Sequence, residues 1–120
     1  MPNLKDDCFQ SANGHCFCIE FHRGKQRRGF HSSHLIEYTF EANPDAKSDD
    51  AAGDQAMPPE RLALAFATAD VTLLGWRLGR LADLLHENKL AAVGTRPQRH
   101  AQVDPVKPFV TSIVITPIIK

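Results

Sequence analysis

The residue types best suited to chemistry crowd into one short stretch: Cys16, Cys18, His22, His31 and His34. Thiolate and imidazole are preferred zinc ligands. If a hairpin pairs Phe21 with Phe30, Glu20 faces His31 and Cys18 faces Ser33. Cys18, Glu20, His22 and His31 then share one side of the sheet and His34 turns away. Cys18, His22 and His31 are therefore the candidate metal ligands. Their spacing argues against a structural site, because Cys16 and Cys18 form Cys-x-Cys where zinc ribbons use longer loops between ligands. The competing reading is two small, partly buried cysteines and solvent-facing histidines, with no cofactor.

A second candidate is Arg23, Lys25, Arg27 and Arg28, four cations with no acid among them. Such a loop suits phosphate, and so nucleic acid. No interleaved row of aromatic residues accompanies it as a stacking platform. The plainer alternative is a solvated turn, or a loop neutralised by the segment from Glu41 to Glu60, which holds six acids against Lys47.

Enzymatic signatures are scarcer. The chain has no Gly-x-Gly-x-x-Gly, P-loop, His-Glu-x-x-His or Gly-x-Ser-x-Gly. Cys18 with His31 or His34 would make a nucleophile and base, but three cysteines and six histidines offer many such pairings, and Asp70 with His86 is equally arbitrary. A third kind of site is apolar. Trp76 beside Arg77 has the composition of an interface anchor, and Ala63 and Ala65 leave room for close approach by another layer or subunit.

The elements that position these groups are read from periodicity. From Arg61 to Val93 the apolar period changes from two to about 3.6 near Gly75. Leu62, Leu64 and Phe66 fall on even positions, whereas Val71 and Leu73 fall on odd ones, so one straight strand would put them on opposite faces. A reversal at Thr68 and Ala69 pairs Phe66 with Val71 and Leu64 with Leu73, and all five share a face. That turn lacks the Asn or Gly a tight hairpin prefers. Leu78, Leu81, Leu84 and Leu85 then mark an amphipathic helix over about 76–90. Leu90 to Val93 either extends that helix or begins another strand.

Elsewhere, His15 to Phe21 and Phe30 to Phe40 read as strands joined by a long basic hairpin loop at 22–29. Residues 42–60 read as a mobile acidic loop, and 95–107 as a connector with one short strand near Ala101 to Val103. Phe109 to Ile115 is a β-branched strand, either central or an edge used to associate. The expected fold is a single α+β domain over 1–120. It has a mainly antiparallel sheet of about five strands, with the helix packed on one face.

Composition narrows the function. Lys plus Arg and Asp plus Glu are fourteen each in 120 residues, so no net field draws the chain to nucleic acid or anionic lipid. No apolar run at Met1 to Gln10 resembles a signal peptide, and no segment has the roughly 18 apolar residues of a membrane span. An odd set of cysteines suits the reducing cytoplasm. One helix leaves sheet surface to cover, so the first reading is a non-catalytic, self-associating interaction module that forms a homodimer. The alternatives are a nucleic-acid-binding protein using the 23–28 loop and a small metal- or thiol-dependent enzyme.

Overall fold

The computed structural model describes residues 8–12, 14, 16–44, 58–96 and 107–118. Its strands are β1 (Phe9–Ser11), β2 (Cys18–Arg23), β3 (Gln26–His31), β4 (Leu35–Ala42), β5 (Glu60–Phe66), β6 (Ala69–Trp76), β7 (Leu90–Gly94) and β8 (Phe109–Pro117). Helix α1 spans Gly79–His86, and a 3₁₀ turn occupies Ser32–His34. The class is mixed α+β, but the expected single sheet of about five strands is instead two sheets of four, ordered β1-β7-β2-β3 and β4-β5-β6-β8. All pairings are antiparallel except β2 with β7.

The second sheet arises where the 30–40 segment breaks. The His31 side chain accepts a hydrogen bond from the Ser33 backbone N–H and caps the 3₁₀ turn. The chain thus leaves the first sheet at His31 and enters the second at Leu35. The inner faces meet through phenyl rings: Phe30 stacks on Phe66 at 4.5 Å, and Phe21 meets both edge-on. These rings are almost wholly buried.

The β5–β6 hairpin keeps the expected faces but not the expected register. Leu64 lies opposite Val71 and Leu62 opposite Leu73, a shift of two residues that preserves side-chain parity. All five apolar residues are buried. The turn falls at Ala67 and Thr68, and neighbouring segments hold it: Ala67 N–H donates to the His34 carbonyl in the 3₁₀ turn, and the Thr68 carbonyl accepts from Ile118 N–H just past β8. These bonds compensate for the missing turn glycine.

Gly75 ends the strand period for a steric reason. A Cβ there would lie 1.9 Å from the Phe109 carbonyl oxygen, beside the irregularity in the β6–β8 ladder. Arg77 then adopts positive φ, and Leu78 N–H is capped by the Glu60 carboxylate at 2.7 Å. The helix is shorter than 76–90 because Asn88, at φ 59, closes it. Asn88 N–H bonds to the Leu85 carbonyl and Lys89 N–H to the Leu84 carbonyl, which is a Schellman ending with asparagine in the left-handed position. Leu90 therefore starts β7. The helix packs against β4 and β7, one strand from each sheet, and buries Leu81, Ala82, Leu84 and Leu85. This differs from the expected helix lying on one sheet face.

The expected acidic loop at 42–60 falls largely outside the described residues, as does the short strand near Ala101. Where that segment meets β4 and β5, Ala42 pairs with Glu60. Buried Asn43 donates through Nδ2 to the Pro58 carbonyl at 2.7 Å and through its backbone N–H to Pro59.

Two substitutions test this framework by urea unfolding. Gly75→Ala is expected to lower stability by about 3 kcal/mol or more, since its methyl group meets backbone rather than a movable side chain. Asn43→Ala is expected to cost about 1–3 kcal/mol by stranding the Pro58 carbonyl. A neutral Gly75→Ala would contradict the close β6–β8 approach.

Candidate functional site

The expected metal face forms, yet its groups are spent on one another. Cys18 lies directly opposite His31, Glu20 opposite Gly29, and His22 opposite Arg27. This again shifts the expected register by two residues and leaves the faces unchanged. Glu20 Oε1 is 3.1 Å from His22 Nε2 and 3.5 Å from Arg27 Nε, so the carboxylate serves as the hub of a small polar network. His31 Nδ1 accepts from Ser33, whose Oγ lies 2.8 Å away. Among the described residues, no three His, Cys, Asp or Glu side chains converge to hold a metal ion.

Cys18 sits over Gly29, where a Cβ would meet Sγ at 2.9 Å. Burial pushes its thiol pKa up, and the charges of Glu20 and Cys16 push it further in the same direction. This is opposite to the electropositive setting that activates a thiol nucleophile. Cys16 donates its S–H to the Cys18 carbonyl at 2.8 Å.

The basic residues do not form a long loop. Residues 22–29 belong mostly to β2 and β3, joined by the two-residue turn Gly24–Lys25, with Gly24 at φ 55 as the first central residue of a type II′ hairpin requires. Strand alternation separates the cations. Arg27 points toward Glu20. Arg28 lies 5.0 Å over the Phe30 ring. Arg23 donates to the Ile113 carbonyl and to Gln26 Oε1.

Among the expected interface residues, Trp76 packs edge-on against Phe109 at 6.0 Å and joins the core margin. Arg77 donates from Nε to the Lys107 carbonyl at 2.6 Å. Ala63 and Ala65 lie on the outer face of the second sheet. Their rows include Glu37, Thr39, Asp70 and Thr72, and together they floor a shallow polar groove of about 340 Å³. This face is charged rather than an apolar seam.

Two other features stand out. The first is the outer edge of β8, a nine-residue strand without a charged side chain. Val114 on it is 49% exposed, and Ile118 just beyond it is 42% exposed. The second is a cleft of about 470 Å³ between β2, the 3₁₀ turn and the end of α1. Its walls include Ile19, Leu35, Leu85 and Leu90, and its mouth is formed by Phe17 with His31, Ser33 and Asn88. Its β-branched composition made β8 visible in the sequence, but the cleft joins distant segments and left no local signal.

These features define a mixed α+β protein of two four-stranded, mostly antiparallel sheets. No protein-family model, curated protein or solved structure matches the chain. No helix among the described residues is long and apolar enough to cross a membrane.

The raised Cys18 pKa gives a direct chemical expectation. Because raising a thiol pKa reduces thiolate at neutral pH, iodoacetamide should label Cys18 more slowly than free cysteine there. The rate should climb further into the alkaline range, as read by peptide mass spectrometry. Fast labelling at neutral pH would show an activated thiol instead.

Proposed function

We propose that this chain is a non-catalytic interaction module that pairs with a second copy through β8. The observation that supports this is the contrast among its four sheet edges. Unpaired strand edges invite association, and proteins guard them with short length, charge or bulges. Strand β1 has three residues, β3 carries Arg27 and Arg28, and β4 carries Glu37 and Glu41 with an irregularity between Leu35 and Glu37. Strand β8 is long, β-branched and uncharged; its irregularity lies between Val110 and Ser112 and its proline at Pro117, so the run between them is a regular strand.

The backbone of β8 also suits a two-fold pairing. Ile118 N–H bonds to the Thr68 carbonyl, and antiparallel alternation from that bond turns the backbone groups of Ile113, Ile115 and Pro117 away from β6. The Arg23 guanidinium reaching the Ile113 carbonyl at 3.5 Å agrees with that direction. An antiparallel pair centred on Ile115 exchanges bonds between the two Ile115 residues and sets Ile113 opposite the partner's Pro117. Proline has no N–H to give, and the Ile113 carbonyl facing it already has Arg23. The pairing thus leaves no outward group of this segment stranded, and it joins two four-stranded sheets into one of eight. It also packs the partly exposed Ile115 side chains together. A reducing compartment such as the cytoplasm suits the three free cysteines.

Light scattering at high micromolar concentration should give a dimer. Val114→Lys combined with Thr116→Lys places lysines opposite one another across the two-fold and should weaken dimerisation at least about tenfold. Circular dichroism should show the fold unchanged. A monomeric parent chain would overturn the proposal, whereas a dimer insensitive to both lysines would move the contact to another surface.

A further inference from the structure

We infer that the cleft beneath Phe17 is a binding site for a small molecule with an apolar body and a terminal carboxylate or carbonyl group. Its volume of about 470 Å³ falls within the roughly 300–1,000 Å³ typical of small-molecule pockets. None of its lining residues belongs to β6 or β8, so it is separate from the proposed pairing edge. The walls supply the apolar contact: Ile19, Leu35, Leu85 and Leu90 line it, while Phe17 remains 71% exposed at the mouth.

The mouth is held open by backbone bonds rather than left loose. Cys16 N–H donates to the Asn88 carbonyl and Ser32 N–H to the Phe17 carbonyl, both at 2.8 Å. These bonds tie the Phe17 segment to the end of α1 on one side and to the 3₁₀ turn on the other. A phenyl ring on so constrained a backbone is poised to close over an occupant without a large ordering cost.

The polar end of the ligand follows from His31. Its Nδ1 lies 3.3 Å from the Ser33 backbone nitrogen and 2.8 Å from Ser33 Oγ; the neutral tautomer that keeps both contacts accepts at Nδ1 and carries the ring proton on Nε2. The cap that turns the chain between sheets therefore also sets His31 as a donor. Among the described residues, no hydrogen-bond acceptor takes that Nε2 proton. A carboxylate or carbonyl oxygen matches it, whereas an ammonium group offers only further donors.

Titration of the full ¹⁵N-labelled chain with decanoate, methyl decanoate and decylamine, each below its aggregation concentration, tests this. Decanoate and methyl decanoate should produce saturable amide shifts at Ile19, Ser33, Leu85 and Leu90, with decylamine about tenfold weaker. Phe17→Ala, which removes an exposed side chain, should weaken decanoate about fivefold. His31→Phe should abolish the preference for acceptor over amine, with circular dichroism confirming that the chain remains folded. Absence of saturable shifts with millimolar decanoate, or equal binding of decylamine, would overturn the assignment. So would nuclear Overhauser contacts in the free protein showing a side chain of this chain or of a second copy already seated in the cleft.

Discussion

The close passage of β6 beneath β8 at Gly75 is the constraint around which the rest of the protein is arranged. With the Phe109 carbonyl where any Cβ would stand, the two strands approach more tightly than a regular ladder allows, and the register shifts there. That shift sets Trp76 against Phe109. It also starts the sharp reversal through Arg77 that aims α1 back across the molecule. The helix leucines then fill the space between β4 and β7, one strand from each sheet. A side chain at position 75 would push β8 outward, and both the edge it presents and the seat of the helix would move with it.

Parity explains how much of this arrangement is legible in the sequence. In the two hairpins within Cys18 to Trp76, the observed register differs from the pattern-based one by two residues, yet every side chain stays on its expected face. Alternation carries information only modulo two. It therefore identified the buried set of Leu62, Leu64, Phe66, Val71 and Leu73, and grouped Cys18, Glu20, His22 and His31. The missing two residues depend on the turns. At Ala67 and Thr68 the turn is held by bonds from His34 and Ile118, residues far away in sequence that no local rule anticipates. At Gly24 the signal was local and readable: glycine at the first position of a II′ turn, with cations of alternating phase on either side.

The unread parts are those built by non-local pairing. Strand β7 lies parallel to β2 and antiparallel to β1, so the first sheet is assembled from strands distant in sequence. The run Leu90–Gly94 shows no alternation because all five residues are buried, and a run buried on both faces reads equally well as helix or strand. The second sheet was hidden for a related reason. The break at Ser32–His34 is held by backbone bonds from Ser32 to Phe17 and from Ala67 to His34, together with a side-chain cap from His31, a residue whose type first suggested a metal ligand. Its structural role accounts for that histidine without a metal and leaves its other nitrogen for different chemistry.

The same distinction governs what charge says about association. A balanced chain has no long-range field to steer it toward polyanions, but balance over the whole sequence conceals strong local differences. Arg27 and Arg28 sit on one exposed edge, and Glu37 and Glu41 on another. Each lies where backbone groups would otherwise invite a neighbouring strand. Strand β8 carries no such charge, in a sequence with charge to spare elsewhere. An uncharged, β-branched run is equally natural in the middle of a sheet, which is why composition alone left its position open. The topology places β8 outermost among the described strands of its sheet. Residue types that would be unremarkable in a central strand become, at an edge, an argument for a partner of the same shape.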